Sequence, residues 1–343
     1  KKYTTVPSSE NHYILDAFRE NKQILKNPEC TVHDIGDGVM CIEFQTKGNS
    51  IGEGIAKGIN EAIDIAEKDG WNGIVIGNND KQFSVGANLM NMGMMAMQKN
   101  FDEIEKFLVG FQKILMRMRT CNVPVVSATH GFVLGGGLEV SIHCDAGIHA
   151  SESYIGLVEV GVDLIPGAGG NLRMLSNLSK KIKTGITGTL PLVQKAFETV
   201  GFAKVATSAK QAQSYGYLTG DDKIVVNRDH ILSHAKDMVL DLSNDYSKPE
   251  VETFKLPGSA GRLAIDVQAK SMVKAGKISE HDALIGSKLA YVLTGGKKGG
   301  MFTAVDEQYL LDIEREAFLS LCGEKKTLDR IKFMLTKGKP LRN

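Results

Sequence analysis

The chain has no CxxC pair, and its five cysteines, Cys30, Cys41, Cys121, Cys144 and Cys322, are odd in number and widely spaced. That argues against a zinc ribbon or a disulfide framework and points to a reduced, cytoplasmic protein. No window approaches the roughly 18 consecutive apolar residues of a membrane span, and no signal-peptide pattern is present. Formal net charge is only +1, so there is no global electrostatic case for nucleic acid or an anionic membrane as partner. Local basic clusters at Lys297–Lys298 and Lys337–Lys339 read as solvated surface. No His/Cys/Asp/Glu cluster has metal-ligand spacing, so no metal is expected. A starting methionine is also missing: the chain begins at Lys1, which suits a processed chain or an excised piece of a longer one.

What is there suits a soluble globular protein. Apolar residues are 42% and charged residues 24% of the 343, enough for a sizeable core. Short β-branched runs alternate with amphipathic stretches. Val39–Phe44, Ile74–Ile76 within Gly73–Gly77, and Val125–Thr129 predict strands. Shorter strands are expected at Ala146–Ala150 and Tyr154–Ile155. A lead-in helix is expected around Ile14–Leu25. Ser50 with Glu53 reads as a capping box ahead of the stripe Ile51, Ile55, Ile59 and Ile63. A second helix is predicted over Phe101–Arg119. Strands alternating with helices predict an α/β architecture. From about Asp229 the pattern turns helical. Capping boxes are read at Ser279/Asp282 and Thr303/Asp306, and a stripe of Leu310, Ile313, Ala317 and Leu321 ends at Gly323. The expected divisions are a lead-in over residues 1–29, a core over 30–228 and a helical region over 229–343, with Pro249 and Pro257 marking loops.

Three segments can carry chemistry. Phe83-Ser84-Val85-Gly86-Ala87-Asn88 follows a buried strand, and Gly86 permits a sharp turn that leaves amides pointing outward. In Gly131–Glu139, the triple glycine Gly135-Gly136-Gly137 opens a helix. Three glycines there lose conformational entropy on folding, but they let a ligand approach the backbone closely. The first N–H groups of a helix have no internal partner and favour negative charge. A developing oxyanion would be stabilised at that point. Glu139, three residues after Gly136, faces the same side of the first turn. In the third segment Glu159 stands between apolar residues, either at a buried functional site or on the exposed face of a short strand. Desolvation would raise its pKa and suit it to proton donation. The run Gly167-Ala168-Gly169-Gly170 lacks dinucleotide-fingerprint spacing, and Gly295–Gly300 is no phosphate-binding Walker loop. Ser84 and Ser141 lack a nucleophile-elbow context, and His130 and His143 read as structural. Met90, Met92, Met94, Met95 and Met97 form a flexible apolar set able to adapt to an acyl chain.

Together the three segments, with Ala209–Leu218, resemble the crotonase (enoyl-CoA hydratase/isomerase) family over about Thr31–Asn227, with an extra stretch near 181–205. The resemblance implies a crotonase-like spiral of ββα units, commonly assembled as trimers or dimers of trimers, so a homo-oligomer is expected. It implies an acyl-CoA thioester substrate whose carbonyl oxygen is held by the Ala87 and Gly136 amides. Val85, Gly86, Gly135 and Gly167 would contact substrate. Glu139 and Glu159 fall on both hydratase glutamate positions, whereas isomerases of the family typically keep only the second. Glu139 would activate water and Glu159 would protonate the α-carbon. The implied activity is hydration of a 2-enoyl-CoA in fatty acid β-oxidation. The alternatives are a Δ3,Δ2-enoyl-CoA isomerase or another thioester-enolate reaction, and a non-catalytic acyl-CoA-binding module. Three positions depart from the family: Asn88 stands where many members have Asp, and Leu157-Val158 where many have Gln-Pro. The helical tail looks like the C-terminal half of a bacterial type of 3-hydroxyacyl-CoA dehydrogenase, in which a nicotinamide-binding dehydrogenase precedes a crotonase module. A covalently linked dehydrogenase domain is therefore a possible partner. Coenzyme A belongs to the substrate, no cofactor is expected in this chain, and NAD would belong to the missing N-terminal half.

Overall fold

β-Branched runs pair into one sheet because each strand can bury both faces only when helices cover it on both sides. The computed structural model describes residues 11–182, 188–300, 302–339 and 341. β1 (Gln23–Lys26), β2 (Cys30–Asp34) and β3 (Val39–Phe44) form an antiparallel ribbon. After α1 (Glu53–Asp69), β4 (Gly73–Gly77) joins parallel to β3. α2 (Leu89–Met97) and α3 (Phe101–Thr120) lead to β5 (Val125–Leu134), and α4 (Gly136–His143) leads to β6 (Ala146–Gly156). α5 (Gly170–Lys181), α6 (Leu190–Gly201) and α7 (Ala209–Tyr215) precede β7 (Lys223–Val225). Every strand lies beside its predecessor, giving the sheet order β1-β2-β3-β4-β5-β6-β7, so the chain advances without crossing back. This progression of strands and helices is the α/β spiral expected from the sequence.

Side chains alternate across the sheet with the period of a strand. Met40, Ile42, Ile74 and Ile76 enter the main core, and Val39, Cys41 and Val75 enter a smaller core on the other face. α8 (Ile231–Ser243) covers that second face with Leu232, Ala235 and Val239. The rest of the C-terminal region comprises β8 (Thr253–Lys255), α9 (Gly258–Lys274), α10 (Glu280–Leu293), β9 (Ala304–Asp306), α11 (Glu307–Cys322) and α12 (Lys325–Lys337), with β8 and β9 paired antiparallel. Leu289, Leu310, Phe318, Leu321 and Ile331 belong to the same continuous core as Ile55 and Leu138. Ion pairs add to this: Arg330 meets the buried Asp163 at 2.7 Å, and Arg119 and Arg173 meet the half-buried Glu252 at 2.7 and 3.2 Å. No helix among the described residues is long and apolar enough to cross a membrane.

Several local expectations are corrected. In place of a helix over Ile14–Leu25 there is one 3-10 turn, Leu15–Phe18, followed by β1. Leu15 is buried, but the polar run Arg19–Gln23 offers no apolar face for further helical turns, and the chain pairs with β2 instead. Ser50 does not cap α1. The helix starts after Gly52, and a distant carboxylate, Glu29 Oε2, accepts from the Ile55 amide at 3.1 Å. Thr303 does not cap α11, because β9 occupies the intervening residues and Asp306 accepts from the Tyr309 amide at 2.8 Å. The Ser279/Asp282 box is formed in full. The strand expected at Val125–Thr129 continues to Leu134 through a register shift before Gly131, and the two short strands after it merge into β6. The methionine-rich stretch is the helix α2, with Asn88 as its N-cap accepting from the Asn91 amide.

Candidate active site

Two turns place a pair of backbone amides side by side. The first is Ser84–Asn88, held by Ser84, whose Oγ donates to the Asn49 carbonyl at 2.7 Å and accepts from the Gly86 amide at 3.1 Å. Ile51 brackets Ala87: its N–H donates to the Gly86 carbonyl at 2.8 Å, and its own carbonyl accepts from the Asn88 amide at 3.1 Å. In this parallel bridge the Ala87 N–H points away from Ile51. The second is the start of α4, where Gly136 is the first helical residue and its amide has no intrahelical partner. Among the described residues neither the Ala87 nor the Gly136 amide has an acceptor.

The turns touch. A Cβ on Gly86, whose φ is 96°, would lie 2.8 Å from the Leu134 carbonyl oxygen and 3.2 Å from the Gly136 nitrogen. Only glycine permits both that conformation and that approach. A Cβ on Gly136 would lie 3.3 Å from the Ala87 nitrogen. Gly135, at φ 51°, turns the strand into the helix, and a Cβ there would lie 3.0 Å from Glu159 Oε1. Val85 is different. It lies over Gly48 and is 39% exposed, on the outer side of the turn.

Glu139 and Glu159 converge on this place from different elements. Glu139, on the first turn of α4, is 3% exposed. Its Oε1 accepts from the Ala168 and Gly170 amides, each at 2.8 Å. No hydrogen bond holds its Oε2 among the described residues, and a Cβ on Gly136 would lie 3.8 Å from that oxygen. Glu159 begins a 3-10 turn after β6, and its buried Oε2 has no hydrogen-bond partner among the described residues. Burial pushes Glu139 up to about 7, against the two amides that favour its anion. Burial and then the charges of Glu139 and Glu314 hold Glu159 well above the ordinary carboxyl range. Gly167 packs against Phe318, and its carbonyl accepts from Gln112 Nε2 at 2.9 Å.

A third carboxyl went unread in the sequence. Glu314, on α11, is 1% exposed. Its Oε1 accepts from the Gly169 amide at 2.6 Å and its Oε2 from the Asn171 amide at 3.1 Å. Burial, then the charge of Glu139, pushes it up to about 8. The available signal was a charged residue inside the apolar stripe Leu310, Ile313, Ala317 and Leu321.

His143 Nδ1 donates to the Glu139 carbonyl at 2.7 Å; that oxygen can only accept, so Nδ1 carries the proton. Burial and Arg173 depress its pKa to about 3 and keep it neutral. His130 bonds the Asp80 carbonyl at 2.8 Å. Ser141 bonds Ser127 at 2.8 Å. A cavity of about 380 Å³ opens at Ala87, lined by Ile51, Met92, Met95 and Phe107, with Glu53 and Glu103 among its polar residues.

A spiral α/β core brings two free amides together, with the Glu139 and Glu159 carboxyls beside the glycines that form the second turn. Residues 34–213 match the family model "Enoyl-CoA hydratase/isomerase", and the chain belongs to that family. It is 42% identical over 343 residues to a probable 3-hydroxyacyl-CoA dehydrogenase of Bacillus subtilis, covering 99% of this chain and 43% of that protein. It is 37% identical over 101 residues to a short-chain-enoyl-CoA hydratase of Clostridium acetobutylicum, covering 29% of this chain and 37% of that one. The chain thus spans less than half the length of these curated relatives. Among solved structures, a carnitinyl-CoA dehydratase from Mycobacterium thermoresistibile superposes with a TM-score of 0.65 at 16% identity, covering 90% of both chains. At that identity the likeness speaks for the fold alone.

Proposed function

We propose that this chain hydrates 2-enoyl-CoA thioesters to 3-hydroxyacyl-CoA, a step of fatty acid β-oxidation. The observation that carries the reading is the meeting of two carboxyls, Glu139 buried and Glu159 half-buried with its Oε2 enclosed, at two unsatisfied amides. With the thioester oxygen on the Ala87 and Gly136 amides, Glu139 removes a proton from water through its free Oε2. The water oxygen bonds C3, and the electron pair of the double bond moves through C2 onto the thioester oxygen. The protonated carboxyl of Glu159 then delivers its proton to C2 as the enolate collapses. Exchange with solvent returns the proton from Glu139 and recharges Glu159. Such donors count for most when fixed in advance in a dry site.

The protonation states support these roles. A base has to be ionised and an acid protonated at the working pH. Glu139, pushed only to about 7, is the first to ionise, and Glu159, held well above its ordinary range, keeps its proton. The methionine-lined cavity beside Ala87 suits an acyl chain. The product is also the compound class named in the Bacillus relative's description, which is consistent with a dehydrogenase acting next. The test is loss of the conjugated-thioester absorbance of crotonyl-CoA. Hydration at a rate far above background is expected; interconversion of 3-enoyl and 2-enoyl forms with no alcohol produced would replace this reading by isomerisation.

A further inference from the structure

Four successive amides, Ala168 to Asn171, are gripped alternately by two carboxyls, one from before and one from after this segment in the sequence. Glu139 takes Ala168 and Gly170, each at 2.8 Å, and Glu314 takes Gly169 at 2.6 Å and Asn171 at 3.1 Å. Glu314 uses both oxygens in this grip, whereas Glu139 uses one. We infer that Glu314 is a positioning residue of the site: it clamps the 168–171 segment so that this segment holds Glu139 Oε1 and leaves Glu139 Oε2 free beside Gly136. The inference rests on the reading of Glu139 as the base that activates water.

The clamp is built from several elements. Gln112 on α3 donates to the Gly167 carbonyl at 2.9 Å and the Leu311 carbonyl at 3.1 Å, tying the loop to α11. Arg315 donates to Gln112 Oε1 at 2.8 Å, which fixes the amide of that bridge. A glutamate at 1% exposure inside an apolar helix stripe is unfavourable unless its oxygens are satisfied, and here the backbone satisfies both. A buried apolar side chain would fill that place at no such penalty but would leave the Gly169 and Asn171 amides unpaired.

Glu314 also sets charge. The titratable groups facing it are Glu139 and His143 on α4 and Glu159 on the turn after β6; at the start of α11, Glu307 meets Arg119 and Arg173. His143 is held neutral, and those two arginines are engaged by Glu252 and Glu307. The charge of Glu314 therefore bears on Glu159, raising its pKa. Removing that charge lowers the Glu159 pKa, so the alkaline limb of the rate profile moves to lower pH.

The experiment has two arms. In the unaltered protein, backbone ¹⁵N–¹H spectra are followed from pH 5 to pH 10. The Gly169 and Asn171 amide shifts are expected to move together with one carboxyl titration, and those of Ala168 and Gly170 with an earlier one. Four amides that stay still across this range overturn the inference, whether or not the protein is an enzyme. In the second arm, Glu314→Gln and Glu314→Asp are assayed on crotonyl-CoA. For the glutamine variant a kcat lower by about ten- to a hundredfold is expected, with KM within about twofold and the alkaline limb shifted down. The aspartate variant retains the charge and should return that limb toward its original pH. A glutamine variant with the original kcat and both limbs unmoved overturns the clamp. If the unaltered protein does not hydrate at all, the functional reading fails and the spectra alone decide for or against Glu314.

Discussion

The glycine-rich strand ends and the C-terminal helices furnish the site in different ways. The strand ends supply backbone: two free amides, each beside a glycine whose conformation or close approach excludes a side chain. The C-terminal helices supply restraint: Glu314 on the Gly169 and Asn171 amides, Arg330 on Asp163, and Ile331 of α12 against Gly93 of α2, where a Cβ would lie 2.8 Å away. On the proposed reading, the first region marks where charge develops. The second determines how firmly the groups around that charge are held. A site can thus carry its chemical groups in one stretch of sequence and depend for their geometry on another about 150 residues away.

The sharpest way to test this division is to remove the proposed acid and base. Glu139→Gln and Glu159→Gln should each lower kcat on crotonyl-CoA by about 10²- to 10⁴-fold, measured at saturating substrate. Both variants should also resist denaturant better than the parent above neutral pH. The sign follows from linkage: the folded-state pKa of Glu139 is raised from its ordinary value to about 7, so the stability associated with its proton is complete below pH 4.5 and lost as pH rises through about 7. Glutamine has no proton to lose. Urea melts at pH 5 and pH 9 check this, and a parent equally stable at both would contradict the burial argument.

Next in size is the backbone. Gly86→Ala forces a side chain toward the Leu134 carbonyl at a φ of 96° and should displace the Ala87 amide. A loss of about 10²- to 10³-fold in kcat is expected, matching removal of one oxyanion donor, with little change in the thermal midpoint beyond the strain of one residue. A stability contrast comes third. Asp163, fully buried and paired with Arg330, belongs to the restraining region. Asp163→Ala should destabilise the fold by about 2 kcal/mol in denaturant melts, through loss of the buried hydrogen bond from Arg330, which keeps Asp282 at 2.7 Å as a partner. The smallest effect is expected at the cavity wall. Met92→Ala enlarges the space beside Ala87 and should change the ratio of kcat/KM between short and longer enoyl chains by a few fold, about 1 kcal/mol per buried methylene.

The same contrast explains what the sequence disclosed. Strands β3 and β4 matched their runs to the residue, and α3 differed by one, because burial there follows local periodicity. Glu139 was legible from its spacing to Gly136 on one helical turn, and Gly86 from the sharp turn it had to make. The lead-in helix, the Ser50 cap and the Thr303 cap misled because a partner distant in sequence, or a short strand, took over a role that neighbouring residues had seemed to fill. Glu314 was invisible for the same reason in stronger form. Its partners are the Gly169 and Asn171 amides, 145 and 143 positions away, and only tertiary packing turns its place in an apolar stripe into a hydrogen-bonding one.

The central claim is that Glu139, Glu159 and the two amides act on one thioester. It is tested most directly by incubating crotonyl-CoA with the protein in D₂O and analysing the product by mass and NMR. The account predicts 3-hydroxybutyryl-CoA with one deuterium at C2, with formation strongly suppressed in Glu139→Gln and in Glu159→Gln. A parent protein that binds the thioester yet returns it unhydrated and undeuterated would contradict it.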